Sequence, residues 1–444
     1  MRLSPLRLAH LLAVVTTAVV VSPPRAAGEL LYFKAGGRIQ APATVRDGLV
    51  TVETPFGRFE FPESDFLKIV PGYCPERDWP ARRDAALAGD VEARLSAAWW
   101  ALENGLVPEC VGMLREARAS APSDPQAARL GTLIDRLDRP CPDPDTATLR
   151  TALGTPCEEA RSQHVLLLHQ TDPAEARARL EVLENVVTAF YICFAFQGFD
   201  LPVPKNRLVS VYLRDRDRYV AFLESQNAGS FRSTFGYFHP TLQAVVAYDL
   251  RPTQLRNRPD GTHATDRRLK LLREAELRAF DLGTAAHEMV HLVVSVSGFD
   301  RDRRRMPLWV HEGLAAQFEV VRGGRWAGVG RAHDIRLPDW HALPTPPPLV
   351  TLLRDSAFGR GYQRDLYAGC WALVAYLQKT HPREFLTFID LLRNPETSED
   401  SRGDRVLDLF RQAFGDDLSS LEADWHRQTS ATRTPLDDYA PKSR

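Results

Sequence analysis

Residues 283–294, GTAAHEMVHLVV, set two histidines four positions apart around a glutamate inside an otherwise apolar run. On a helix, His287 and His291 lie one turn apart on one face, so both imidazoles can reach a single ion at ~2.0–2.1 Å. Glu288 sits one residue further round, close enough to hold a water without ligating the ion. A core helix with satisfied histidines would carry the same five residues, so the flanking sequence has to decide. The spacing predicts a helix that begins near Asp281 and stops at Gly298, a reversing loop FDRDRRRM, and a second amphipathic segment PLWVHEGLAAQFEV opened by Pro307 and closed by Gly323 and Gly324. Glu312 lies on that second segment and is the third ligand that a zinc site needs. His311 is turned ~100° away from it on a helix and reads as a surface or packing histidine. A metzincin site would require glycine at 294 and histidine at 297, where the chain has Val294 and Ser297. Two histidines, a ligating glutamate and a non-ligating one read as one catalytic zinc ion with an open position.

The rest of the chain frames this motif. Residues 1–27 start with Arg2 and Arg7, continue through an apolar stretch and end on Ala26 and Ala27. That is the form of an export signal peptide, with an uncleaved N-terminal anchor as the alternative; the protein is expected to be periplasmic, cell-surface or secreted, with no stable membrane span once the signal is removed. The six cysteines, Cys74, Cys110, Cys141, Cys157, Cys193 and Cys370, contain no CxxC pair and stand either as three bridges or as buried thiols. Lys and Arg total 56 against 57 Asp and Glu, so there is no basic footprint for nucleic acid.

Short alternating β-branched and aromatic runs separated by Gly36-Gly37, Asp47-Gly48 and Phe56-Gly57 predict a small antiparallel β meander over residues 28–72. Residues 75–140 turn rich in alanine, leucine and arginine with helical spacing, resembling tetratricopeptide-like pairs and offering a face for a protein partner. A proline-rich linker occupies 141–159, an α+β region runs from 160 to 430, and 431–444 is a polar tail. Within the α+β region HVLLLH and RLVSVYL read as strands, and FGYFHPTLQAVVAYD reads as a hairpin around Pro240. The expected class is therefore an α+β multidomain protein: β meander, helical repeat-like region, and a domain built on the HExxH helix.

At HEMVH and PLWVHEGLAAQFE the chain resembles the gluzincin metallopeptidases, in particular the peptidase MA-like branch and the exported bacterial proteins grouped as domain of unknown function 1570. The likeness extends over about residues 160 to 430. It implies a zincin-like catalytic domain with His287, His291 and Glu312 as ligands of one zinc ion and Glu288 as general base. It also implies an oxyanion stabiliser further on, for which Tyr367 in RDLYAGCWALVAYLQK is the best match, ahead of Tyr362, His333 and His341. Thermolysin-like members carry an aspartate four residues after the ligand glutamate, and here that place is Ala316. Glu319 resembles the glutamate that recurs at this spacing in aminopeptidase-like members and would support the site instead. An edge strand beside the HExxH helix pairs with extended peptide in zincins, which points to AVVAYD at 244–249. The expected activity is zinc-dependent hydrolysis of peptide bonds in a peptide or protein substrate; an amide hydrolase for cell-wall peptides would use the same parts. The competing expectation is a noncatalytic exported binding or scaffold protein whose metal site is a relic or a structural clasp.

Overall fold

The computed structural model describes residues 28–54, 57–250, 266–300, 306–355, 358, 364–394 and 404–434. The signal peptide, Tyr362 and the end of the polar tail lie outside the described residues. Six short strands open the chain: β1 (Glu29–Phe33), β2 (Arg38–Ala41), β3 (Ala43–Arg46), β4 (Leu49–Thr54), β5 (Gly57–Pro62) and β6 (Phe66–Pro71). They do not form the single meander that the turn spacing suggests. β6 crosses back to pair antiparallel with β1, placing Leu31 opposite Ile69, so two three-stranded sheets result, β2-β1-β6 and β3-β4-β5. An aromatic cluster supplies the reason: Phe66 meets Phe33 at 4.6 Å and Phe61 at 6.0 Å, and burying all three requires the last strand to fold over the first.

Two antiparallel helix pairs follow, α1 (Pro75–Ala88) with α2 (Val91–Glu103) and α3 (Val107–Ser120) with α4 (Pro125–Leu137). Asp90 and Asp124 cap α2 and α4 through their side chains. Their apolar faces do not close on themselves. Leu102, Cys110, Leu114 and Leu130 belong to the same buried cluster as Val186, Phe190 and Val290, so the helical region and the HExxH region share one core. Trp99 contributes to the join by meeting Phe196 edge-on at 5.2 Å. The stretch expected as a linker carries a further helix, α5 (Ala147–Leu153), and the start of β7 (Glu158–Arg161).

A five-stranded sheet then forms from β7, β8 (Val165–His169), β9 (Leu208–Leu213), β10 (Gly236–His239) and β11 (Ala244–Tyr248), in the order β10-β11-β9-β8-β7. β8, β9 and β11 run parallel, and the two outer strands are antiparallel to their neighbours. AVVAYD is therefore not an edge: β11 is buried between β10 and β9, and the free edge belongs to its hairpin partner, residues 236–239. Helix α6 (Pro173–Phe196) packs on this sheet, and α7 (Arg216–Ser225) covers the strands from the other side.

The HExxH helix, α8, spans Arg267–Val296, 30 residues, and is nearly twice as long as its apolar pattern indicates. Its true start is set by Asp266, whose side chain accepts the Leu269 N–H. Midway along, Asp281 accepts from Arg179 at 2.5 Å and from Tyr212 at 2.6 Å, locking α8 to α6 and β9. Removing one partner of such a buried pair costs about 3–5 kcal/mol. Beyond Gly298, whose φ of +68° turns the chain, come α9 (Leu308–Ala316), the hairpin of β12 (Val321–Arg322) and β13 (Arg325–Trp326), and α10 (Arg336–His341). Helices α11 (Leu349–Leu353), α12 (Arg364–Thr380), α13 (Pro382–Arg393), α14 (Asp404–Phe414) and α15 (Leu418–Ala431) complete the order. Among the described residues no helix is long and apolar enough to cross a membrane. All six cysteines are free thiols, which decides between the two expectations for them.

Candidate metal centre

Helix periodicity places His287 and His291 on one face of α8, and α9 brings Glu312 against them. Asp355 fixes α9 at its start by accepting the backbone N–H groups of Leu308 at 2.7 Å and Trp309 at 3.2 Å. The three side chains converge. His287 Nε2 lies 3.1 Å from His291 Nε2 and 3.1 Å from Glu312 Oε2, and His291 Nε2 lies 3.7 Å from Glu312 Oε1. Among the described residues these are the one group of three or more His, Cys, Asp or Glu able to hold a metal ion, with all ligand atoms within 4.8 Å of one another.

The chemistry of the donor set fits a cation. Metal–ligand bonds of ~2.0–2.1 Å at tetrahedral angles separate donors by roughly 3.3–3.4 Å, close to the spacings found. The Glu319 carboxylate, 2.8 Å from His287 Nδ1, is acceptor-only when ionised and so fixes a proton on that nitrogen. Nε2 faces the other two donors and offers a lone pair there whenever the ring is neutral, the form in which a histidine ligates a metal. Burial pulls the His287 ring toward neutrality, but its hydrogen bonds to Glu312 and Glu319 outweigh that and hold its pKa well above the ordinary value. Positive charge is thus favoured where the three donors meet. Burial holds His291 neutral, with a pKa down to about 3. Burial raises the Glu312 carboxyl, yet the hydrogen bond from His287 and the neighbouring imidazole charges bring it down to about 2.

Glu319 takes the supporting position that Ala316 cannot fill, though not by continuing the helix. α9 ends at Ala316, and Glu319 lies in the extended segment leading to β12. Gly283 makes the approach possible: a Cβ there would stand 2.7 Å from the Glu319 carbonyl oxygen, one turn before His287. Glu319 is itself held by His333 Nε2 at 2.6 Å and by Arg336 Nε at 3.0 Å. His333 Nδ1 accepts the N–H of Ile335 at 3.0 Å, which leaves Nε2 to donate. Sequence reasoning missed both partners, because a loop residue 14 positions away carries no periodic signal. His333 thus stands behind the three converging side chains, and His341 is exposed at the end of α10; neither is among the residues that line the cavity opening on them.

A cavity of about 330 Å³ opens on this cluster and is lined by His287, Glu288, His291, Glu312 and Tyr367 among others. Glu288 accepts the Phe238 N–H from the sheet edge, and burial pushes its carboxyl up to about 7, with the charge of His287 opposing. Gly236 on the same strand leaves room for it, since a Cβ there would lie 3.0 Å from Glu288 Cγ. The Tyr367 hydroxyl is raised by burial and by the charges of Glu312 and Glu288, and Arg336 lies over its ring at 5.2 Å. Of the two readings of His311, surface or packing, the structure gives the second, and His311 is not one of the three converging donors. It lines the cavity with its Nε2 held at 3.0 Å by the buried Asp300, and its ring centre is 6.1 Å from that of His291. Asp300 closes the turn after Gly298, and that turn carries it back over α9.

A family model described as Protein of unknown function (DUF1570) matches residues 281–396, which places a DUF1570 domain there. It starts at Asp281, takes in His287, Glu288, His291, Glu312, Glu319 and Tyr367, and ends just after α13. No curated protein matches the chain.

Proposed function

We propose that the protein is a zinc-dependent peptidase in which His287, His291 and Glu312 hold one zinc ion and Glu288 acts as general base. The observation that carries this reading is the meeting of three electron-pair donors, 3.1–3.7 Å apart, at the floor of a cavity that also contains an unligated carboxylate. When bound, the metal supplies Lewis acidity toward a carbonyl and a water. Glu288 takes one proton from the attacking water as the new carbon–oxygen bond forms, and returns it to the amine as the carbon–nitrogen bond breaks. Tyr367 is placed to donate a hydrogen bond to the carbonyl oxygen as it gains charge. Glu319, braced by His333 and Arg336, orients the His287 ring.

A noncatalytic clasp would use the same three ligands but would gain nothing from Glu288 in an open cavity. The experiment that separates the two is cleavage of a peptide library by the zinc-loaded protein and by Glu288→Gln. Cleavage by wild type and at least a hundredfold loss in the variant, at equal zinc content, is expected. Turnover that survives Glu288→Gln would exclude the mechanism, and absence of turnover in the wild type would favour the binding reading.

A further inference from the structure

Phe231 is 38% exposed, an unusual setting for a large aromatic side chain beside a candidate active site. Its ring stacks on Tyr237 with centroids 4.1 Å apart, and the pair forms one wall of the cavity together with Pro240 and Val294. The wall is preformed. Thr234 bonds the buried Tyr219 hydroxyl at 2.7 Å, and Phe235 packs edge-on against Phe280 at 4.9 Å, so the segment that directly follows the exposed ring is pinned.

Strand geometry sets the aromatic pair relative to the reacting groups. Side chains alternate along β10. Gly236 faces α8 and Glu288, so Tyr237 faces the other side of the sheet edge, where Phe231 meets it. Both rings nevertheless line the same cavity as Glu288, so the aromatic pair and the carboxylate are reached from one opening. The charges lining the cavity narrow the occupant further. Its carboxylates are Glu288, Glu312 and Asp300, no Lys or Arg lines it among the described residues, and each carboxylate is already engaged by the Phe238 N–H, by the metal-ligand histidines or by His311. An acidic side chain is repelled there.

We propose that the Phe231–Tyr237 pair is a specificity subsite that takes an aromatic or branched aliphatic side chain next to the cleaved bond. This deepens the peptidase reading and rests on it. The test uses three pentapeptides of alanine with a central phenylalanine, leucine or aspartate, bound to the zinc-loaded Glu288→Gln protein and followed by calorimetry. The phenylalanine peptide should bind about tenfold tighter than the aspartate peptide or more, a ratio in the range that a good apolar pocket gives. Adding Phe231→Ala should bring the ratio below about threefold. Tyr237→Leu, which keeps an apolar surface, should retain discrimination against aspartate but lose the advantage of phenylalanine over leucine; it serves if Phe231→Ala melts early. A ratio unchanged in a folded Phe231→Ala protein overturns the inference. Wild-type cleavage with no side-chain preference overturns it too while leaving the peptidase reading in place. Binding that depends on Phe231 without any cleavage would uphold the subsite and remove the peptidase reading.

Discussion

The N-terminal half of α8, residues 267–280, and its C-terminal half, residues 281–296, are one continuous helix in two different settings. In the first half Leu271 is fully buried, but in the core of the β module, with Leu272 and Ala275 packed beside it. Arg268 reaches the Gly36 carbonyl at 2.5 Å, and Arg278 pairs with Glu175. In the second half Ala285, Ala286, Met289, Val290 and Val293 are buried in the large core, and the polar residues are Asp281, Thr284, Ser295 and those of the site. One half thus trades with solvent and a small neighbouring module, whereas the other is surrounded. The difference teaches that the precision of the metal cluster comes from the surrounded half, where Asp281 and Gly283 fix the helix against α6, β9 and the Glu319 segment.

Four changes break or sharpen that contrast. Glu312→Ala should have the largest effect, removing an anionic donor and weakening zinc well beyond the roughly 10–100-fold expected for loss of an outer support. His311→Ala should leave the zinc stoichiometry at one, and metal analysis showing the reverse order would move the third ligand to His311. At the other end of the helix, Leu271→Ala should lower unfolding stability by about 2–5 kcal/mol in a denaturant titration while zinc affinity stays unchanged. A joint loss would show that the two halves act as one. Smallest is Glu319→Gln, which keeps an acceptor for His287 but removes the charge that His333 and Arg336 hold. A drop in zinc affinity of about tenfold is expected, measured by competition with a chelator.

What could be read from the chain follows the same division. His287, His291 and Glu312 were legible because helical phase alone puts them on facing surfaces. Glu319 was legible by spacing, but for the wrong geometric reason, since α9 stops at Ala316 and the carboxylate arrives on extended backbone. The first half of α8 was not legible as part of the HExxH helix, because RRLKLLREAEL reads as a charged surface segment and its one deep anchor, Leu271, is buried by a module more than 200 residues earlier. The order of β10 and β11 is a tertiary property. A local sign of it existed: AVVAY is buried at every position without alternation, the pattern of an interior strand, whereas GYFH shows a partly exposed centre. His311 was legible as a packing residue outside the donor group, but its partner was not, because helical phase says which way a side chain leaves α9 and not that Asp300 returns to meet it.

The single core shared by α2, α3, α4, α6 and α8 bears on what the 281–396 match means. That span opens in mid-helix, 14 residues after α8 begins at Arg267, and it omits Asp266, Arg179, Tyr212 and the sheet edge that supplies the N–H held by Glu288. The stretch that resemblance picks out is thus a chemical unit and not a folding unit: it contains the donors but not the scaffold that aims them. A cut at its borders would divide a helix from its cap and a carboxylate from its partner, so the natural piece to transplant or recombine is the whole packed body.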